Sequence, residues 1–225
     1  MRARKKKNTV PRLERVSDYF VPVIPQPSGE IRVEVGCGKG KFITALAKDH
    51  PDVTFYALEK IPDVIVMAAE KASREEIGNV KFLLADAKDL TEGTEKTFMG
   101  LDENRQPILQ DVAHTALCPT GSVSVLYLNF SDPLPNKKHA DRRLTHANFL
   151  EKYRTILKAD GHIEFKTDNK PLFDFSVEQF RECGYEIYDY TEDLHRSDIP
   201  NPYHTEYETR FSEMGMPIYS LKAKP

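Results

Sequence analysis

Along this chain the apolar positions fall into short continuous runs separated by amphipathic stretches, and the first run sets the pattern. Ile31 to Val35 reads as a buried strand that enters the turn Gly36-Cys37-Gly38-Lys39-Gly40, after which Phe42, Ile43, Leu46 and Ala47 recur at helical spacing until Pro51. Val53 to Leu58 predicts a second strand, Pro62 suits the first turn of a helix carrying Val64, Met67, Ala68 and Lys71, and Asn79 to Leu84 makes a third short apolar run. Residues 91–120 break the alternation: they hold Gly93, Gly100, Pro107, Pro119 and Gly121 with a weak helical pattern around Ile108 to Leu117, and predict an inserted loop or cap. Val123 to Phe130 is the most apolar strand. Phe149, Leu150, Tyr153, Ile156 and Leu157 then mark an amphipathic helix stopped by Gly161, His162 to Phe165 begins a strand that reaches Asp168, and Leu172, Phe175 and Phe180 lie on the next helix. Tyr185 to Tyr190 and Ile218 to Leu221 close the series as an antiparallel pair. Strands alternating with helices predict an α/β fold, a Rossmann-like sheet of seven strands with helices on both faces.

Composition narrows the class. With 225 residues, 40% hydrophobic and 30% charged, the chain can bury the core of one large domain, placed at 29–225 behind an N-terminal extension at 1–28. No apolar run reaches the length of a membrane span and the basic N-terminus lacks the apolar stretch of a signal peptide, so a cytoplasmic protein is expected. Cys37, Cys118 and Cys183 form neither a C-x-x-C pair nor an even set, which gives no support to a disulfide framework or a zinc site, and no metal is expected. A net charge of −3 does not announce a nucleic-acid binder, so any such surface must be local. The N-terminal stretch is one candidate, with Arg2, Arg4, Lys5, Lys6, Lys7, Arg12 and Arg15 against the single acid Glu14; a solvated tail is the plainer reading.

The chemistry gathers where predicted strands end. Gly36, Gly38 and Gly40 let the backbone approach a ligand closely, but Lys41 stands where a dinucleotide fingerprint places its third glycine. Glu34 would repel a pyrophosphate and suits the ammonium and sulfonium of S-adenosylmethionine. Glu59 ends the second strand at the distance of a ribose-binding acid, and Asp86 ends the third where an adenine amino group can be met. Asp132, followed by Pro133 and Pro135, is held at a fixed place beyond the most apolar strand and marks the reacting centre. Lys137, Lys138, His139, Arg142 and Arg143 form a dense basic cluster beside it, suited to phosphates, against the alternative of an ordinary charged helix start.

Taken together, EVGCGKG at 34 to 40, LEK at 58 to 60, ADA at 85 to 87, LNFSDPLPNKKHADRRLTHANFL at 128 to 150, FKTDN at 165 to 169 and TEYE at 205 to 208 resemble the bacterial tRNA (guanine-N7)-methyltransferases, over roughly residues 30 to 222. The resemblance implies a class I methyltransferase that transfers a methyl group from S-adenosylmethionine to N7 of guanosine 46 in the tRNA variable loop. It implies that Glu34, Glu59, Asp86 and Asp132 contact the methyl donor and that Asp132 is also catalytic. It further implies that Asp168 and Thr205, Glu206, Tyr207 and Glu208 hold the target guanosine. Two positions depart from that pattern: Leu134 stands where the family has tryptophan, and Asn136 where it has a substrate-contacting lysine, which leaves Lys137 or Lys138 to supply the charge. The interval from Asp86 to Asp132 is also longer than in the family. A small-molecule methyltransferase or a non-catalytic RNA-binding protein on the same fold are the competing expectations, and the sequence leaves monomer and homodimer open.

Overall fold

The computed structural model describes residues 8–93, 96–101, 107–111 and 116–225. Arg2, Arg4, Lys5, Lys6 and Lys7 of the basic N-terminal stretch lie outside the described residues, as does part of the segment at 91–120.

β1 (Ile31–Val35) passes through the glycine turn into α2 (Lys41–Asp49), β2 (Thr54–Leu58), α3 (Pro62–Arg74) and β3 (Val80–Leu83), preceded by the short helix α1 (Thr9–Arg15). β2 lies parallel to β1 with Val33 opposite Tyr56, and β3 lies outside β2. β6 (Val123–Asn129) pairs parallel on the other side of β1, with Glu34 opposite Tyr127 and Val35 opposite Leu128. The chain therefore reverses its order of growth between β1 and β6, and a crevice opens at the carboxyl ends of these two strands. Beyond β6 come α5 (Ala147–Ile156), β7 (Leu157–Thr167), α6 (Lys170–Glu182), β8 (Glu186–Thr191), α7 (Glu206–Glu213) and β9 (Tyr219–Lys224). The sheet has seven strands in the order β3-β2-β1-β6-β7-β9-β8, and its last two pairings are antiparallel.

Two apolar clusters cover the two faces. Val33, Val35, Leu126, Leu128 and Phe165 pack against Leu150, Tyr153, Phe173 and Phe180 of α5 and α6. Phe55, Ala57, Val80 and Phe82 pack against Phe42, Ile43, Leu46, Ile65 and Ala69 of α2 and α3. Each strand of this interior is buried on both sides, which is why the sequence shows continuous rather than alternating apolar runs. Gly40 begins α2 at φ 80°, and a Cβ there would lie 2.7 Å from the Ala68 Cβ, so glycine allows α2 and α3 to meet.

Three expectations change. The helical pattern around Ile108 to Leu117 is instead a strand at its start: β4 (Lys96–Leu101) and β5 (Pro107–Asp111) form an antiparallel pair outside the main sheet. A short apolar run satisfies either period, and Gly100 and Pro107 at strand positions obscured the alternation. Secondly, the helix expected to reach Leu157 ends at Ile156, and Gly161 stops nothing. Gly121 and Ser122 donate their amides to the carbonyls of Thr155 and Ile156, and Leu157 already pairs with Val123. Gly161 sits in the register shift that follows, where a Cβ would lie 2.7 Å from the Val123 oxygen. Thirdly, Arg12 is not part of a solvated tail: α1 buries Leu13, and the Arg12 guanidinium donates to both oxygens of Glu70, at 2.8 Å through Nε and 2.5 Å through Nη2.

The segment at 91–120 is closed at its base. After α4 (Asp89–Glu92) the chain departs at Gly93, and on its return Leu117 and Cys118 donate to the carbonyls of Asp89 and Leu90 at 3.3 and 3.0 Å. Among the described residues no helix is long and apolar enough to cross a membrane.

Candidate functional site

At the carboxyl ends of β1, β2, β3 and β6 lies a cleft of about 590 Å³, lined by Gly36, Glu59, Asp86, Asn129, Asp132 and Arg142 among others. Its floor is set by the strand ends. Gly36 takes φ 80° and its amide, with that of Cys37, donates to the Leu58 carbonyl at 2.8 and 2.9 Å, which ties the turn to the end of β2. Glu59 begins where β2 ends, its Oε1 accepting from the Ile61 amide at 3.0 Å. Asp86 follows β3, accepts from the Lys88 amide at 3.3 Å and lies 3.8 Å from the Lys60 ammonium.

Behind this floor stands Glu34, 1% exposed. One oxygen accepts from Asn129 Nδ2 at 3.0 Å; Glu34 Oε2, Asn129 Oδ1 and Ser131 Oγ are buried without a partner. Buried polar atoms without partners are costly, and two of these three belong to residues that line the cleft, Asn129 and Ser131. Burial, followed by the nearby acids Glu206 and Glu59, pushes the Glu34 carboxyl up to about 7, although the Asn129 bond and the Lys166 ammonium pull against it. A cation with hydrogen-bond donors is the complement of this arrangement. Burial also raises the Cys37 thiol, so it is an uncharged packing group in the turn.

The loop after β6 is held in a fixed shape. Phe130 and Leu134 have φ of 51° and 43°, a left-handed backbone that non-glycine residues avoid, and they bracket Asp132. Arg143 keeps the loop in place: its Nε donates to the Pro133 oxygen at 3.0 Å, its Nη2 to the Leu134 oxygen at 3.2 Å, and its guanidinium lies 4.3 Å over the Phe175 ring. Asp132 Oδ1 accepts from the Leu134 amide at 3.2 Å while the residue stays exposed to the cleft. Asn136 caps the following 3₁₀ turn, Lys137–Arg142, by accepting from the Lys138 amide at 3.0 Å. Lys137, Lys138 and His139 are exposed on that turn, and Arg142 reaches the cleft lining.

The structure thus gathers Gly36, Glu59, Asp86 and Asp132 around one cleft with Glu34 beneath it. Gly38 and Gly40 support the turn without lining the cleft. Asp168 is half-buried after β7, and Thr205 caps α7 by accepting from the Glu208 amide at 2.9 Å. Glu206 and Tyr207 are exposed on the first turn of α7, with the Tyr207 ring 6.0 Å from that of Phe130. Glu208 is fully buried, 3.4 Å from the Lys166 ammonium, and accepts from Asn201 Nδ2 at 2.5 Å. Sequence reasoning did not single out Asn129, Ser131 or Lys166. Its available signal was a polar side chain at the end of an otherwise apolar strand, at Asn129 and again at Lys166.

The family described as "Putative methyltransferase" matches residues 28–100 and 104–221. A tRNA (guanine-N(7)-)-methyltransferase of Geobacillus thermodenitrificans is 39% identical over 223 residues, covering 93% of this chain and 92% of that protein. One from Bacillus subtilis is 40% identical over 194 residues, covering 86% and 80%. Among solved structures, a SAM dependent methyltransferase from Aquifex aeolicus has a TM-score of 0.52 at 13% identity, covering 98% of each chain. An antibiotic related methyltransferase has a TM-score of 0.55 at 13% identity, covering 98% of this chain and 94% of that one. At such identities these structures speak to the fold alone.

Proposed function

Because this chain belongs to the tRNA (guanine-N(7)-)-methyltransferases, we propose that it moves the methyl group of S-adenosylmethionine to N7 of guanosine 46 in the tRNA variable loop. The observation that carries the donor half is the buried Glu34 carboxylate, bonded to Asn129 through one oxygen and unpartnered at the other, with Asn129 Oδ1 and Ser131 Oγ likewise buried and unpartnered. Those atoms fit the ammonium end of an amino acid, Glu59 the ribose hydroxyls and Asp86 the adenine amino group. S-adenosylmethionine supplies, when bound, a methyl group on a positively charged sulfur.

Guanine N7 carries an unprotonated lone pair, so the chain need not provide a general base. Its task is positioning and electrostatics. As N7 becomes alkylated the ring acquires positive charge, and Asp132, fixed at the cleft by Arg143 and the Leu134 amide, stabilises a charge that develops only along the reaction. A carboxylate facing the guanine pairing edge accepts from N1–H and the 2-amino group, and adenine leaves it unpaired. Asp168 and Glu206 are free for that role, whereas Glu208, already engaged by Lys166 and Asn201, supports the segment. Lys137, Lys138, His139 and Arg142 meet tRNA phosphates, in a methyltransferase domain at 29–225 preceded by the extension at 1–28, whose Arg12 is already engaged by Glu70. Such an enzyme works in the cytoplasm, where its substrate is.

The test is methyl transfer to unmodified bulk tRNA with labelled donor, followed by nucleoside analysis. Labelled 7-methylguanosine is expected; label in another nucleoside, or none, overturns the reading.

A further inference from the structure

A buried lysine at the end of an apolar strand is unusual, and Lys166 is the one that β7 presents toward α7. Its side chain is 8% exposed. The ammonium donates to Asn201 Oδ1 at 2.5 Å, to the Tyr203 carbonyl at 3.4 Å and to Glu208 Oε2 at 3.4 Å, and lies 5.5 Å from the Phe42 ring centre. Glu208 in turn has no exposure; its other oxygen takes the Asn201 amide at 2.5 Å and lies 3.4 Å from His195 Nε2. A second tie runs from Lys41 of α2 to Thr209 Oγ1 at 2.6 Å. The inner side of α7 is thereby fastened to the strand end and to the helix after the glycine turn, and Glu206 and Tyr207 are left facing outward.

We propose that Lys166 is a positioning residue that joins the two halves of the site, fastening the segment Thr205–Glu208 through Glu208 while its charge faces Glu34. The role rests on the reading of the site given above. The charges around each partner are few. Glu34 faces Asn129 from β6, Glu59 after β2, Glu206 on α7 and Lys166 on β7; Lys166 faces Glu208, Glu164 and Glu34. Burial draws the Lys166 ammonium toward neutrality and these three carboxylates hold it charged. One ammonium thus bonds the buried Glu208 on the nucleoside side and favours ionised Glu34 on the donor side, so a displaced α7 and a displaced Glu34 titration both follow from its loss.

The experiment compares wild type, Lys166→Met and the double variant Lys166→Met/Glu208→Gln, with two measurements on each. Hydrogen exchange reads the backbone amides of Thr209 to Glu213, and calorimetry reads S-adenosylmethionine affinity against pH. In Lys166→Met the buried Glu208 loses its ammonium partner and keeps only the Asn201 amide and the His195 ring, so α7 exchange should accelerate at least about tenfold. The pH midpoint of donor affinity should rise, and KM for tRNA should increase by a larger factor than kcat falls. In the double variant no charge is stranded, so α7 protection should return, while the pH midpoint stays displaced because Glu34 still lacks its ammonium. A residue that only fills space would restore both together. Wild-type exchange in a folded Lys166→Met protein, or a wild-type pH midpoint in either variant, overturns the proposal. If Lys166→Met does not fold, the midpoint in the double variant decides. If the wild type binds no S-adenosylmethionine, the functional reading falls instead, and the exchange measurement on α7 decides this proposal by itself.

Discussion

Asn129 Nδ2 donates to Glu34 Oε1 at 3.0 Å, and this bond joins the ends of β1 and β6 at the point where the strand order reverses. It satisfies one carboxylate oxygen and leaves the other, like Asn129 Oδ1 and Ser131 Oγ, buried without a partner. On the function proposed above, the pair is half of a contact that the cationic end of the methyl donor completes.

The pH dependence of donor binding follows from that pair. Burial raises the Glu34 carboxyl from 4.5 to about 7 in the free protein, and a cation prefers the ionised form. S-adenosylmethionine affinity should be flat above that pH and fall by up to about tenfold per unit below it. For the free protein the sign is opposite: the folded state binds the extra proton between 4.5 and 7, so this group's contribution favours folding at the low end and is lost as pH rises. Glu34→Gln should abolish both trends, as read by calorimetry and by Tm against pH. An unaltered pH profile of affinity in that variant would remove Glu34 from the donor site.

Asp132→Asn keeps the shape of the side chain and its acceptance from the Leu134 amide while deleting the charge. Single-turnover methyl transfer should slow by about 10² to 10³, with Tm unchanged. A wild-type rate would leave Asp132 a positioning contact in the loop.

Glu59→Ala should weaken S-adenosylmethionine binding by about 10 to 100-fold, the loss expected for hydrogen bonds to a charged group, and leave tRNA binding intact. Equilibrium dialysis with each ligand separates the two. Equal donor affinity in the variant would sink the ribose assignment.

On the RNA side, Lys137 and Lys138 stand exposed on the turn that Asn136 caps. Replacing both with alanine should weaken tRNA binding uniformly across tRNA sequences and flatten log affinity against log salt by about 1 to 2 units, with donor binding unchanged. Asn136→Lys keeps the extended backbone but gives up the cap to the Lys138 amide, so it should strengthen tRNA binding only where phosphate contact outweighs a frayed turn. Filter binding over a salt series reads both variants. An unchanged slope in the double alanine variant would move the RNA surface elsewhere.

The parts of this fold that were legible are those whose apolar runs are buried on both faces. Val33, Phe55, Leu126 and their neighbours are continuous in sequence because no side of those strands meets water. The strand-end acids were legible for the same reason, since a run of apolar residues closing on Glu59 or Asp86 places the acid at the sheet's edge. What stayed hidden depended on partners far along the chain. Glu208 reads as one acid of an exposed turn until Lys166, 42 residues earlier, is seen to meet it. Arg143 reads as one of a basic group until its guanidinium is found holding two carbonyls of its own loop. Arg12 looked free for phosphate because Glu70 is 58 positions away. Leu157 suits a helix or a strand equally by its apolar side chain, and only the pairing with Val123 decides.

The closed base of the segment at 91–120 bears on how such a domain can vary over evolution. With Leu117 and Cys118 bonded back to Asp89 and Leu90, the chain leaves and re-enters through one neck, and β3 and β6 keep their register whatever hangs between. Closing a longer loop costs only about 0.6 kcal/mol per doubling of its length once its ends are pinned. Appendages of quite different size are therefore interchangeable at this neck without disturbing the cleft, so the position is a graft point where new recognition surfaces can be acquired while the chemistry beneath them is inherited unchanged.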